Sequence, residues 1–307
     1  MTHLRRTNCT RERPARQARL WLLLAGAAAA LCACGVHFHS GPIFDNVDQS
    51  KFPATDEGLL ALSFRSYNFN GPVQAVTVSL LAAETVLARN PDNDLANYLA
   101  TRAAYWLIEF NGPNLDRLHL AELGFKYAEA AEKVDGSKAA YPFFEGVHLG
   151  YKMRENLRPP LINIRKTRDY FQRALQLDAS YDQGAPMRAM GILLIKSPPW
   201  PAGVGDDDEG VKYLEKACTA FPTYPANHLY YAEGLLNTGS YDKALHAVDA
   251  THDVLKETDW GVPGQVWKKQ ADELRAKIEK KRAGDAVRAL HAEHHWLGRA
   301  GFLGSGR

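Results

Sequence analysis

From about residue 58 to residue 298 the apolar positions recur three and four apart, the spacing of a helix with one buried face. Ala, Leu, Lys and Glu dominate this stretch, and hardly a strand signal occurs in it. The pattern breaks at clusters of turn residues, such as Asn68-Phe-Asn-Gly-Pro72, Asn90-Pro-Asp-Asn-Asp94 and Asn111-Gly-Pro-Asn114. Connections this short place consecutive helices antiparallel, so the chain is expected to fold as a series of helical hairpins. The hairpins occupy residues 58–261. The heavily charged stretch 262–298, opening on Gly264-Gln-Val-Trp267-Lys-Lys, predicts a polar helix that caps them within a C-terminal segment 262–307.

The hairpins are repeats. Residues 225–256 align with a tetratricopeptide repeat. Ala232 falls in the small slot of the first helix, Gly239 and Tyr241 make the turn, and Ala244 falls in the small slot of the second. Small residues are needed there because the two helices approach closely. The preceding unit ends on Gly210, Leu214, Ala217 and Pro222, the second-helix pattern with its closing proline, and Phe171-Gln-Arg-Ala174-Leu-Gln-Leu177 repeats the phrase one unit earlier. Residues 120–134 and 73–91 carry weaker versions. Two units are clear, one is fair and two are degenerate. The fold class is thus an all-α superhelical repeat of antiparallel, tetratricopeptide-like hairpins with a polar C-terminal capping helix. A repeat cannot bury its apolar face alone, so the units must stack.

One unit departs from the pattern. Its first helix, Pro186 to Lys196, runs into Ser197-Pro-Pro199-Trp200-Pro201-Ala-Gly203-Val-Gly205-Asp206 instead of a tight turn. The prolines stiffen this loop and hold Trp200 in place. Gly203 and Gly205 permit tight re-entry, and Asp206 to Glu209 open the next helix.

The N-terminus has a different character. Six arginines (Arg5, Arg6, Arg11, Arg13, Arg16, Arg19) stand against Glu12, and an apolar run follows from Leu20 to Leu31. That run is shorter than the ~20 residues a bilayer-spanning helix needs. A basic head before a short apolar core is the form of a secretory signal. Leu31-Cys32-Ala33-Cys34-Gly35 resembles the lipobox of bacterial lipoproteins, with Cys34 as the lipidated residue. Residues 1–33 are therefore expected to be removed, and residues 34–57 to form a lipidated tether. His37 and His39 on that tether form a His-x-His pair that is expected to be incidental.

Removing the signal reverses the charge. Lys+Arg falls from 37 to 31 and Asp+Glu from 35 to 34, so a net +2 becomes about −3. The basicity belongs to the signal, and nothing argues for nucleic acid as a partner. Cys218 alone among the four cysteines stays in the folded part, which excludes a disulfide framework within one chain. Its helical surroundings make it a small packing residue.

Taken together, the lipobox Cys34, the irregular hairpins and the Pro-Pro-Trp-Pro loop running into Gly210-Val-Lys-Tyr-Leu-Glu-Lys-Ala, followed by Phe-Pro-Thr-Tyr-Pro and Tyr231-Ala-Glu-Gly, carry a resemblance. The chain resembles the T component of TRAP (tripartite ATP-independent periplasmic) transporters, the TatT-like lipoproteins, loosely over residues 58–256. It departs from them in lacking a double glycine at Gly203-Val-Gly205, and it matches poorly before residue 90. The resemblance implies a periplasm-facing lipoprotein, held to the membrane by its N-terminal lipid, that associates with the substrate-binding protein of a TRAP transporter and/or handles a small hydrophobic or organic-acid ligand. It also implies a homo-oligomeric assembly. Gly35 after the lipidated cysteine, in place of aspartate, points to the outer rather than the inner membrane. The alternative is a lipidated scaffold for outer-membrane assembly or secretion.

Candidate residues for ligand or partner contact are Trp200 with Pro199 and Pro201, Tyr231, and the aromatic pair Tyr105 and Trp106. Most aromatics at helical spacing, and His148 as a hydrogen-bonded histidine, are expected in the core. His291, Glu293, His294 and His295 could share a helix face around a cation, and Asp206 to Glu209 could hold calcium. In both places a solvated helix face or a helix start accounts for the same residues, and no metal or cofactor is expected. No phosphate loop, nucleophile signature or paired-carboxylate motif occurs, so an enzyme is not expected.

Overall fold

The computed structural model describes residue 39 and residues 41–111, 115–155 and 161–302, with side chains to Arg288. Cys34, the signal and His37 lie outside the described residues, as do the side chains of His291, Glu293, His294 and His295.

Among the described residues five helical hairpins follow one another. They are α2 (Asp56–Ser66) with α3 (Val73–Leu87), α4 (Asp94–Phe110) with α5 (Arg117–Val134), α6 (Ala140–Glu155) with α7 (Leu161–Asp178), α8 (Tyr181–Lys196) with α9 (Asp207–Ala220), and α10 (Pro225–Asn237) with α11 (Tyr241–Glu257). A short helix α1 (Pro42–Asp45) precedes them and the long α12 (Gly261–Phe302) closes the stack. No helix among the described residues is long and apolar enough to cross a membrane.

Local chemistry sets the helix starts. The Thr55, Asn93, Asp116 and Asp206 side chains accept hydrogen bonds from the amides of Gly58, Ala96, His119 and Glu209, satisfying donors that lack a helical partner. Asp206 is thus a cap, as an acid at a helix start should be. Pro225 occupies the first turn of α10, where its missing N–H costs nothing.

Small residues set the packing. Ala232 and Ala244, predicted as the small slots, are fully buried where α10 meets α11. Gly191 and Gly210 bring α8 and α9 together so closely that a Cβ on either would lie about 3 Å from the other's carbonyl oxygen. The capping helix α12 is polar outside and buries Trp267, Ala271, Leu274 and Ile278 inside.

Two features differ from expectation. The tether reading for residues 34–57 does not hold for its described part. Phe44 of α1 is buried, Gln74 Nε2 donates to the Asn46 carbonyl, and the His39 side chain is almost wholly covered. His39 Nε2 lies 2.8 Å from a carboxylate oxygen of Glu84, which also accepts from Tyr127 Oη at 2.7 Å, and the His39 ring stacks on Phe44 with centroids 4.4 Å apart. A buried glutamate awaiting a partner is a long-range property that the local sequence does not display. The second difference is at α8, which begins at Tyr181 rather than Pro186. Asp182, Gln183 and Gly184 all have positive φ (45°, 58° and 78°), so a left-handed turn leads into the regular helix.

The first helices of the hairpins form the inner layer. α4 touches α6, α6 touches α8, α8 touches α10 and α10 touches α12. The layer then closes, because α12 returns to α4. At the closure the Trp267 ring meets Phe110 at 5.7 Å and Phe69 at 6.0 Å, and Asn70 Nδ2 donates to the Asp259 carbonyl. Gly261, at φ 54°, lies directly against the Asn70 carbonyl, where a side chain has no room.

Candidate functional site: the tyrosine-lined inner face

Helix α4 has two faces. Ala96, Ala100, Ala103, Ala104 and Leu107 are fully buried against neighbouring helices. Tyr98, Arg102, Tyr105 and Glu109 follow one another four, three and four residues apart along the inner side and remain partly exposed. The other inner helices complete the wall with Tyr151 of α6, Tyr181 and Arg188 of α8, and Tyr224 and Tyr230 at the start and middle of α10. Tyr67, which ends α2, adds a further ring.

Polar contacts hold the wall. Glu109 accepts hydrogen bonds from Tyr151 Oη at 2.7 Å and Tyr230 Oη at 3.3 Å, joining α4, α6 and α10. Tyr105 and Tyr151 stack with centroids 6.3 Å apart. Burial is the main cause that pushes the phenols of Tyr105, Tyr151 and Tyr230 well above the usual range, and the nearby Glu109 carboxylate adds to it. The wall is therefore a set of neutral hydroxyl donors on aromatic rings.

The left-handed turn at Asp182–Gly184 borders this wall. Non-glycine residues in that conformation cost roughly 1–2 kcal/mol each, and such strain persists only where the surroundings over-determine it. The surroundings here are the buried Arg188 and Asn227. The Gln183 carbonyl accepts from Arg188 Nη1 at 3.0 Å and from Asn227 Nδ2 at 3.2 Å. Arg188 Nη1 also bonds Asn227 Oδ1 at 2.8 Å and its guanidinium lies 4.7 Å from the Tyr224 ring. Asn227 further donates to the carbonyls of Ala217 and Phe221.

The residues singled out in the sequence do not gather in one place. Tyr105 lies on the inner wall. Trp106, its neighbour, does not: it is fully buried and donates Nε1–H to the Phe69 carbonyl at 2.8 Å, so its place is the core and not a ligand surface. Consecutive helical residues point about 100° apart, which is why one of the pair faces inward and the other is covered. Tyr231 Oη reaches Glu215 of α9 at 3.3 Å, a contact between hairpins. Trp200 is 81% exposed. Its loop is pinned beneath it by hydrogen bonds from Gly203 N to the Pro199 carbonyl, Gly205 N to the Pro198 carbonyl and Asp206 N to the Leu194 carbonyl. Cβ atoms at Gly203 or Gly205 would collide with the Pro198 backbone or with the Ser197 carbonyl. Arg165 of α7 reaches the Pro201 carbonyl, and Leu161 and Ile162 of the same helix are each 55% exposed.

His148 is a core histidine. Its Nε2 lies 3.2 Å from the Thr101 carbonyl, and burial pushes its pKa down to about 4. Cys218 Sγ lies 3.0 Å from His228 Nδ1, and burial raises the thiol to about 11, which favours its protonated form. Among the described residues no cluster of metal-ligating side chains occurs.

Arg102, Glu109, Arg188 and the tyrosines other than Tyr105 were not singled out in the sequence. The signal for three of them, Tyr98, Arg102 and Glu109, lay in α4, where polar and aromatic residues at helical spacing run opposite an alanine stripe.

The chain is similar in fold to solved repeat proteins. A thermophilic TPR protein of Thermus thermophilus, TTC0263, superposes with a TM-score of 0.52 at 15% identity, covering 70% of this chain and 98% of that one. MamA superposes with a TM-score of 0.41 at 14% identity, covering 60% of this chain and 90% of that one. The fold is a tetratricopeptide-like helical repeat. No protein-family model and no curated protein matches the chain.

Proposed function

We propose that this chain is a periplasmic lipoprotein, anchored through Cys34 in the outer membrane, that serves as a binding and adaptor component of a TRAP transport system. A stack of such hairpins is a scaffold for contacts with other proteins, since it presents extended surfaces on rigid helices. The observation that carries the adaptor reading is Trp200. A large aromatic at 81% exposure, on a loop stiffened by prolines and bonded back to α8, is a preorganised anchor of the kind that dominates protein interfaces. The exposed Leu161 and Ile162 and the link from Arg165 to the Pro201 carbonyl extend that surface onto α7. In this reading the substrate-binding protein docks at the Trp200 loop, and the inner face is available for a small ligand.

The test is a pull-down from envelope extract with the lipidated chain in detergent, with bound proteins identified by mass spectrometry. Recovery of a TRAP substrate-binding protein, lost with Trp200→Ala, is the expected result. Recovery of outer-membrane assembly or secretion components instead would replace the adaptor reading with that of a lipidated scaffold. Lipidation is checked separately: Cys34→Ala should abolish labelling by a palmitate analogue and release the chain from the membrane fraction.

A further inference from the structure

We infer that the inner face binds a small aromatic carboxylate, with Arg102 as the group that holds its charge. The inference narrows the small organic-acid ligand of the adaptor reading, and its argument stands on the inner face alone.

Arg102 shares with Arg117 a buried Nε that has no acceptor, but of the two it alone lies over aromatic rings. Its guanidinium carbon lies 3.7 Å from the centroid of the Tyr67 ring and 5.2 Å from that of Tyr98, so it is held between two aromatics from different hairpins. Its Nε is buried without an acceptor. Arg188, by contrast, spends its donors on Asn227 and the Gln183 carbonyl, and Arg173 lies between Glu132 and Glu145. Among the described residues Arg102 has neither a hydrogen bond nor an acid within ion-pair distance. A guanidinium has five donors and no acceptor. Here the Nε donor is withdrawn from water without a partner, which is costly, while the Nη donors keep access to solvent. Ring faces offset part of that cost, but they accept no directed hydrogen bond. An acceptor supplied from outside the chain resolves the imbalance.

The surroundings define what that acceptor is. A planar carboxylate presents two oxygens that match the fork of a guanidinium. The neighbouring groups Tyr67, Tyr98, Tyr105, Tyr181 and Tyr224 are phenols, and burial raises Tyr67, Tyr105, Tyr181 and Tyr224 above the usual range, so they stay neutral. The acids facing the same wall are Asp182, which is exposed at the left-handed turn and forms no ion pair with Arg102, and Glu109, which is occupied by Tyr151 and Tyr230. One free guanidinium among two acids suits a monoanion better than a phosphate dianion. Tyrosine rings that keep part of their surface open favour a flat, aromatic body, which they contact edge-on or in an offset stack.

Isothermal titration calorimetry on the full chain tests this, with sodium phenylacetate and sodium indole-3-acetate as probes and phenylacetamide as the uncharged counterpart. We expect saturable one-site binding of a carboxylate and at least about tenfold weaker binding of the amide, because the amide cannot form the charge-assisted pair. Arg102→Met should weaken carboxylate binding by about tenfold or more, and Arg102→Lys by less, since it keeps the charge but loses the fork. If Arg102→Met does not fold, the lysine variant and the acid–amide comparison decide. The inference is overturned if neither acid binds saturably up to about 10 mM, if the amide binds as well as the acid, or if the folded Arg102 variants bind like the parent. Trp200→Ala, which alters the outer loop, should bind the probes unchanged, so a failed pull-down and a failed titration point to different errors.

Discussion

Gly124 of α5 packs flat against the imidazole of His148 on α6, so closely that a Cβ there would overlap the ring. The same contact brings the Gly124 carbonyl to Thr101 Oγ1, which donates to it at 2.8 Å, while the Thr101 carbonyl faces His148 Nε2. Three inner and outer helices thus meet at one glycine.

Gly124→Ala therefore forces a shift of backbone or ring in a filled core. It should destabilise the protein by about 2–3 kcal/mol, against the near-neutral or slightly favourable effect of Gly→Ala at an open helical site such as Gly150. Urea denaturation of the two variants in parallel measures the difference.

The buried His148 makes stability depend on pH on the acid side. Its folded pKa of about 4 lies below the ordinary 6.5, so between those values the unfolded chain binds the proton and the folded chain does not. Its contribution is fully present above pH 6.5 and is lost as pH falls to about 4, by roughly 3 kcal/mol at most. Glu145 acts in the opposite sense. Burial, with a smaller addition from Glu129 and against the pull of Lys133, raises it from 4.5 to about 8, while Arg173 Nη2 at 3.3 Å opposes the rise. Stability therefore falls as pH rises from 4.5 to 8, by less than burial alone implies. Unfolding midpoints measured from pH 4 to 8 should flatten on the acid side in His148→Gln and on the neutral side in Glu145→Gln.

Trp200→Ala should leave the melting temperature within about 2 °C of the parent, because an 81% exposed side chain contributes little burial. Capture of the partner protein should drop by about tenfold or more. A variant that melts much lower and still captures its partner would show that Trp200 is a structural residue.

His39→Ala removes the ring that covers Phe44 and faces Glu84. The segment up to Phe52 should then become a site of early cleavage in limited proteolysis, while the hairpins from α2 onward resist. Glu84→Gln, which keeps the shape and an acceptor for Tyr127 but loses the charge, should show a smaller effect in the same assay.

How much of this was legible along the chain depends on the range of the cause. Helix starts at Asn93, Asp116 and Asp206, and the small slots at Ala232 and Ala244, follow from neighbours within a few residues, and the fold class follows from their repetition. The inner site was half visible. The Tyr98, Arg102, Tyr105, Glu109 stripe can be seen on a helical wheel, but nothing local tells whether it meets solvent or other hairpins. Trp106 was misread as a candidate because adjacency in sequence does not mean a shared face.

Taken by itself, the sequence determined the hairpins, their number, the capping helix and the proline-stiffened loop around Trp200, because capping, turn chemistry and helical period act over a few residues. Tertiary structure alone decided three further features. It joined Asn70 to Asp259 across 189 residues and so closed the ring. It docked His39 on Glu84, and it left Arg102 between two tyrosines without an acid. The physical reason is accumulation: each hairpin adds a small rotation to the last, and where the first unit meets the final helix depends on the sum of all of them.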